Sequence, residues 1–259
     1  MFVHDFNPIL VDIGPISIRW YSLAYIFGIL LGLYYGKHLI KNLSTKIKVS
    51  EKNLDDYLIW AVIGIVLGGR IGYVFFYNFT YYFENPVEIL KIWNGGMSFH
   101  GGLIGIILSS FLFSKKNDIS FWSLTDLIAC ISPIGIFFGR IANFINAELV
   151  GKESNLPWSF IFPKYDQLPR HPSQIYEALL EGLLLFIIIN LLIRKTNIPT
   201  GYLSILFLIL YSTLRVIGEI FREPDQQLGY LFFGISMGSI LSIITIMIAS
   251  IFVLFFNKK

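Results

Sequence analysis

The sequence predicts an all-α integral membrane protein, a bundle of about seven transmembrane helices with small extracytoplasmic loops and arms. Three observations predict it. Of 259 residues, 55% are hydrophobic and only 14% charged, where a soluble domain is about a quarter charged. The mean hydropathy is +0.66. Several apolar runs approach the ~20 residues a helix needs to cross a bilayer. The net charge of +3 is small and carries little information on its own; no nucleic-acid partner is expected. The single cysteine, Cys130, lies in an apolar run, so no intrachain disulfide forms and it reads as a packed core thiol. The start, MFVHDFNPIL, lacks a basic segment followed by an apolar core and cleavage site, so no cleaved signal peptide is expected. No low-complexity tract or internal repeat stands out, and residues 1–259 are expected to form one membrane-embedded domain.

Seven spans follow in order, at about 20–36, 56–78, 98–114, 121–141, 174–193, 201–221 and 231–256. The first opens on Trp20 and Tyr21. The second, AVIGIVLGGRIGYVFFYN, repeats Gly64, Gly68 and Gly72 every four residues, a double small-residue seam for close helix packing. The third is short and grows out of the glycine-rich GGMSFHGGLIG, residues 95–105. The fourth runs through LTDLIACISPIGIFF into GRIANFINAELVG. The fifth follows LPRHPSQIYEALLEG, where Pro172 suits a first helical turn and Ser173 and Gln174 suit capping. The sixth ends YSTLRVIGEIFREPD. Segments 79–97 and 142–173 are the expected extracytoplasmic loops.

Lysine and arginine set the orientation. The connection after the first span holds five lysines, at 37, 41, 46, 48 and 52. With Lys115, Lys116, Arg194, Lys195, Lys258 and Lys259, one side carries eleven basic residues against seven on the other. This places the N-terminus outside and the C-terminus in the cytoplasm. On that topology Tyr21, Arg70, His100, Arg140, Asn143, Glu148, His171, Arg215, Glu219 and Arg222 all fall at the outer face. Polar residues scattered for packing alone do not gather this way.

Tyr211, Arg215, Glu219 and Arg222 fall within about 80° on one helix face, with Arg215–Glu219 and Glu219–Arg222 at ion-pair spacing. Charges in hydrocarbon are costly, so this face points at a cavity or partner, or forms an ion-paired buttress. In the glycine-rich stretch, backbone N–H groups of Gly101 and Gly102 at a helix start favour an anion, and His100 titrates near neutral pH. Equally, Gly101 and Gly105 suit a packing seam with His100 as an interface residue. Arg70 lies off the second-span seam, where it either contacts substrate or snorkels to the interface. Spacings for a metal site or a serine-hydrolase elbow are absent. The remaining set of cations, amides, histidines and carboxylates suits binding a phosphate ester and stabilising its departure as an anion.

The block Gly139-Arg140-x-x-Asn143-Phe144-x-Asn146-x-Glu148 resembles the signature of the prolipoprotein diacylglyceryl transferase family. IGPISIRWYSLAY, GGRIGYVFFYN, GGMSFHGGLIG, RHPSQIYEALLEG and YSTLR…FREPD agree in order, and the resemblance covers nearly the whole chain. It implies a multi-pass enzyme of the bacterial inner membrane, with its active site near the outer leaflet. It implies transfer of an sn-1,2-diacylglyceryl group from phosphatidylglycerol to the thiol of a prolipoprotein lipobox cysteine, with glycerol 1-phosphate leaving. Phosphatidylglycerol, prolipoproteins and membrane lipids are the implied partners, and no cofactor or metal is implied. Carried over residue by residue, Arg140 and Arg215 are the essential arginines, and Tyr211 precedes Arg215 by one turn. His100 is the histidine of the HGG motif, and Tyr21, Asn143 and Glu148 occupy conserved positions. The segment between Gly151 and His171 is shorter than in some members. For the reaction, Arg140 and Arg215 are expected to clamp the phosphate and His100 to act as general base, with Glu148 orienting one of them. A secondary transporter also carries intramembrane charges, but places them near the midplane between related repeats. A lipid-binding scaffold without chemistry is the other class; labelled-lipid transfer to a lipobox peptide separates all three.

Overall fold

The computed structural model describes residues 2–14, 16–195, 197–224, 229–231 and 234–256; the C-terminal Lys258 and Lys259 lie outside these residues. The chain divides into two compact units, Lys37–Thr125 and the combined segments Met1–Gly36 and Asp126–Lys259.

In the unit Lys37–Thr125, helix α2 (Glu51–Tyr77) packs along α4 (Phe99–Lys116). Ser50 Oγ accepts the Asn53 N–H at 3.1 Å. This cap starts α2 five residues before the expected 56, in a charged turn that the apolar pattern alone does not claim. The packing role read for Gly64, Gly68 and Gly72 is borne out. A Cβ on Gly68 would lie 2.3 Å from the Gly101 carbonyl oxygen, and one on Gly105 would lie 2.0 Å from that of Gly64. The backbones therefore touch along the seam, and Tyr57 Oη hydrogen-bonds Ser110 Oγ across it at 2.6 Å.

This packing corrects two expectations. The Gly101 N–H donates to Ser98 Oγ at 3.2 Å and the Gly102 N–H to Ser98 O at 3.0 Å. The two glycines therefore lack the free donors proposed for an anion, because Ser98 caps the helix internally. Arg70 neither snorkels nor offers a donor to substrate. It is buried, and Nε donates to Ile89 O at 2.8 Å. Nη1 donates to Gly95 O at 2.5 Å and Gly96 O at 3.2 Å, and Nη2 to Glu88 O at 2.5 Å and Lys91 O at 3.2 Å. All five N–H groups of a guanidinium are thereby spent on backbone. Arg70 thus orders the expected loop 79–97, which carries α3 (Phe79–Glu84) and two single turns of 3₁₀ helix. Phe75, Phe79 and Phe83 stack in an exposed row at 5.9 Å spacing, suited to a membrane interface. The His100 backbone lies in the first turn of α4; its side chain lies outside the described residues.

The other unit opens with short strands that the sequence pattern did not reveal. Strand β1 (Phe2–Val3) runs parallel to β4 (Phe160–Ile161), which pairs antiparallel with β5 (Pro169–Arg170). Strands β2 (Ile9–Ile13) and β3 (Ile16–Arg19) form a hairpin. Elements of two to five residues are too short to show an alternating period. His4 fixes the first sheet by bonding Phe144 O through Nε2 at 2.7 Å, among the rings of Phe144 and Phe162. Burial lowers its pKa, so the neutral ring donates.

Helices α1 (Trp20–Asn42), α5 (Phe121–Asn146), α6 (Ser173–Glu177), α7 (Leu185–Lys195), α8 (Tyr202–Glu219) and α9 (Met237–Phe256) follow. Within this unit, α1 crosses α5 at Gly28 and Gly135, where a Cβ on Gly28 would lie 3.0 Å from the Gly135 Cα. Asp126 near the start of α5 accepts from Gly201 N at 2.6 Å, Ser204 N at 2.8 Å and Ser204 Oγ at 2.6 Å, satisfying the orphan donors of α8. Asn190 on α7 donates to Cys130 O at 3.0 Å. Cys130 itself is fully buried, in agreement with a packed thiol.

Among the described residues, six helices are long and apolar enough to cross a membrane. The expected third span exists as α4 but is not among the six. His100, Gly101 and Gly102 at one end and Ser114, Lys115 and Lys116 at the other shorten its apolar stretch.

The glycine seam yields a paired prediction. Gly68→Ala forces α2 and α4 apart and should cost about 1–3 kcal/mol or more by overpacking. Gly102→Ala places its Cβ 3.6 Å from the nearest atom, an ordinary contact, and should leave stability unchanged or raised. Unfolding of the purified variants in detergent distinguishes them; equal midpoints would contradict the seam.

Candidate active site

Three helices of one unit bring charge together. Arg140 comes from α5, Glu177 and Glu181 from the fifth span, and Arg215 and Glu219 from α8. Arg140 Nη1 lies 2.9 Å from Glu177 Oε2 and its Nη2 lies 2.7 Å from Glu181 Oε2. Arg215 Nη1 lies 2.6 Å from Glu177 Oε1 and 3.2 Å from Glu181 Oε1. Each carboxylate thus offers one oxygen to each arginine. Arg215 Nη2 pairs with Glu219 Oε1, and Glu219 Oε2 accepts from Ser236 Oγ at 2.8 Å. Arg222 Nη1 adds longer contacts to Glu177 Oε1 at 3.5 Å and Glu219 Oε1 at 3.8 Å. The expected Arg215–Glu219 and Glu219–Arg222 pairs are present, although α8 ends at Glu219; Arg140 and Arg215, expected to clamp a phosphate, share a carboxylate pair that the sequence reading did not name.

The backbone explains how these charges meet. Between α6 and α7 the chain forms a π-helical turn, Ala178–Leu184, a widening found often at functional sites. It carries Glu181 one turn beyond Glu177. Gly182 lets this turn press on α5, since a Cβ there would lie 2.6 Å from Phe137 Cβ. Gly218 lets α8 approach, with its Cβ position 3.4 Å from Glu177 Cγ. Gly238 does the same for α9, at 2.7 Å from Glu219 Oε1.

Three arginines and three glutamates balance, so the apolar surroundings hold no net charge. The exposure is uneven, however. Glu177 and Glu181 side chains are fully buried, whereas those of Arg140 and Arg215 retain 14% and 12% exposure. The carboxylates form a dry back wall and the two arginine side chains its more exposed edge. Tyr211, one turn before Arg215, lies within electrostatic range of both arginines and both glutamates.

A strained loop borders this cluster. Ala147 and Leu149 adopt φ of 58° and 54°, a left-handed conformation that costs non-glycine residues energy and concentrates at functional sites. They flank Glu148, which is exposed. Its carboxylate accepts from Asn146 Nδ2 at 3.3 Å and acts electrostatically, like Arg140, on Tyr21. Asn143 is buried, and its carbonyl accepts the Glu148 N–H at 3.0 Å. The fifth-span start holds the loop from beneath. Ser173 Oγ donates to Leu149 O at 3.0 Å and Gln174 Nε2 to Glu148 O at 2.5 Å. This corrects the capping expectation: Pro172 is the N-cap and no side chain caps the helix.

His171 finds a structural place nearby. Its Nδ1 lies 3.2 Å from Tyr176 Oη, which accepts from Trp158 Nε1 at 2.8 Å, and its ring packs edge-on against Phe221. Burial, and then Lys152, lower its pKa. Arg70, Gly101, Gly102 and the His100 backbone belong to the other unit, described above.

Sequence reasoning missed Glu177 and Glu181. The signal was present, since two carboxylates four residues apart inside an apolar span demand buried cations. Reading that stretch as a helix start, with only basic residues counted for topology, concealed it.

Removing one member of a buried ion cluster leaves an uncompensated charge. Glu177→Gln should cost about 3–5 kcal/mol, whereas Glu148→Gln, at an exposed carboxylate, should cost under about 0.5 kcal/mol. Unfolding in detergent reads both; a mild Glu177→Gln would contradict the buried wall.

The family model described as prolipoprotein diacylglyceryl transferase matches residues 8–255. A protein of Allorhizobium ampelinum named phosphatidylglycerol–prolipoprotein diacylglyceryl transferase is 50% identical over 244 residues, covering 92% of this chain and 85% of its own. Proteins of the same name are 48% identical in Rickettsia felis, over 98% of each chain, and in Rickettsia typhi, over the full length of both.

Proposed function

Because this chain belongs to the prolipoprotein diacylglyceryl transferase family, we propose that it transfers the diacylglyceryl group of phosphatidylglycerol to a prolipoprotein, at the thiol of the lipobox cysteine. The sulfur attacks C3 of the diacylglycerol moiety. A carbon–sulfur bond forms, the carbon–oxygen bond to phosphate breaks, and glycerol 1-phosphate leaves with the bonding electrons. Two needs follow: a thiolate, and stabilisation of the departing phosphate.

The observation that carries the second role is the uneven exposure of the charge cluster. Arg140 and Arg215 stand at its more exposed edge while Glu177 and Glu181 stay dry behind them. Among the described residues the carboxylates engage Arg140 through Nη1 and Nη2, which leaves its Nε–H to be offered to an oxyanion. An arginine held from behind by two buried carboxylates is pre-positioned, which is what electrostatic catalysis requires. Glu219, Arg222 and Ser236 brace Arg215. Tyr211, Tyr21, Asn143 and Glu148 line the same unit and complete the proposed headgroup environment. The thiol proton goes to His100 as general base, a role that rests on its motif and on the titration range of histidine.

The chain is a multi-pass membrane protein. We place it in the bacterial inner membrane with the N-terminus outside, the C-terminus in the cytoplasm and the reaction near the outer leaflet, on the basic-residue asymmetry. The whole chain acts as one catalytic domain and needs no cofactor, since the substrate supplies the nucleophile.

Three measurements test this reading. In transfer of labelled diacylglyceryl to a lipobox peptide, Arg140→Lys should lose roughly 10²–10³ in rate, because lysine keeps charge but loses the planar fork. Full activity in both Arg140→Lys and Arg215→Lys would reject the clamp. His100→Gln should slow transfer by roughly 10²–10⁴ without weakening lipid binding; a normal rate would assign the proton elsewhere. Single cysteines at Ser44 and Asn155, in a Cys130→Ala background, should react with an impermeant reagent from opposite sides, Asn155 from outside. Labelling of both from outside would reject the assigned topology.

A further inference from the structure

Two buried side-chain oxygens beside the charge cluster have no hydrogen-bond partner among the described residues: Gln174 Oε1 and Asn146 Oδ1. Gln174 is fully buried. Buried polar atoms without partners are rare, and each calls for a reason. Their orientation does not depend on how the amides are drawn. The partner of the Gln174 amide is Glu148 O at 2.5 Å, a carbonyl oxygen that can only accept. The nitrogen must therefore face it, and the oxygen must face away. Asn146 Nδ2 likewise meets the Glu148 carboxylate at 3.3 Å, which again leaves its oxygen outward. Both amides are thus locked by one residue, Glu148, on a loop held strained at Ala147 and Leu149. Two fixed acceptors are held by the same residue, and neither can rotate to become a donor without breaking its contact.

Their position along the helices places both on the loop side of the arginines. Gln174 lies three residues before Glu177, about 4–5 Å along the axis, and Asn146 six residues beyond Arg140, about 9 Å. Both displacements run from the arginine cluster toward the loop end of this unit. A lipid whose phosphate rests on Arg140 and Arg215, the reading on which this inference depends, directs its headgroup toward that end and its acyl chains away from it. The headgroup of phosphatidylglycerol is a three-carbon polyol with two hydroxyl donors, long enough to reach about one helical turn beyond the phosphate. We infer that Gln174 and Asn146 are specificity-determining residues that accept hydrogen bonds from the headgroup hydroxyls of the donor lipid, with Glu148 positioning both amides.

The test compares two lipids with identical acyl chains: phosphatidylglycerol, and phosphatidyl-1-propanol, which lacks the hydroxyls. Both release an alkyl phosphate, so intrinsic reactivity is matched. Purified full-length protein transfers labelled diacylglyceryl from each to a lipobox peptide. The unsubstituted protein should favour phosphatidylglycerol by roughly 10–10² in kcat/KM. Asn146→Leu and Gln174→Met, close in volume but without the acceptor, should bring that ratio toward one, whatever the absolute rate. If Gln174→Met does not fold, Asn146→Leu, at the partly exposed end of α5, decides alone. An unchanged ratio in a folded variant would overturn the inference and leave the two oxygens as sites for ordered water only. Equal use of both lipids by the unsubstituted protein would overturn it too. Transfer from neither lipid would instead defeat the transferase reading, and this inference with it.

Discussion

Four buried ion pairs, in which Arg140 and Arg215 share the carboxylates of Glu177 and Glu181, are the interaction on which the rest of this unit depends. Charges in an apolar interior are tolerated only when paired and hydrogen-bonded. No single helix supplies both signs in this arrangement. Helices α5, α6 and α8 must therefore come together, and several sequence features exist to let them. Gly182, Gly218 and Gly238 remove side chains where backbone must approach the cluster. The π turn Ala178–Leu184 aims Glu181. Ser236 Oγ takes the second oxygen of Glu219, and Arg222 adds a longer contact to Glu177 Oε1.

The same constraint joins structure to chemistry. A pair of arginines facing lipid without buried partners would be costly and mobile. Held by Glu177 and Glu181 they are fixed, and the net charge of the cluster stays near zero. The loop that follows α5 continues the logic outward. Its left-handed residues at 147 and 149 are held by bonds from Ser173 and Gln174, so the start of the fifth span holds this loop while its next turns supply the carboxylates of the cluster. The other unit uses a different device. There Arg70 spends its five donors on the backbone of residues 88–96, and glycines set the distance between α2 and α4.

Much of this was legible in the sequence, for physical reasons. Long apolar helices announce themselves by composition, and the Gly64–Gly68–Gly72 period needs close packing. The α8 face was readable because Arg215, Glu219 and Arg222 lie at helical spacing. Glu177 and Glu181 were readable in principle, but a helix-start pattern offered a simpler account of the same segment. Arg70 shows the opposite limit. A lone arginine in an apolar span looks functional, and only the three-dimensional path of residues 88–96 reveals that carbonyls consume it. The short strands β1, β4 and β5 were beyond reach, since two-residue elements show no alternating period. The role of Gly101 and Gly102 turned on a cap by Ser98, which a glycine-rich pattern does not specify.

As a prolipoprotein diacylglyceryl transferase family member, the chain is expected to use this cluster on a phosphate that arrives with its lipid. The account stands on the arginines and carboxylates acting as one unit. A double-mutant cycle between Arg140→Gln and Glu181→Gln, read as unfolding free energy in detergent, tests that directly. The double variant keeps the cluster neutral, so it should be less destabilised than the sum of the singles, with a coupling of about 1–3 kcal/mol. Effects that add to within about 0.5 kcal/mol would mean that the two residues do not share a buried pair, and would contradict the account.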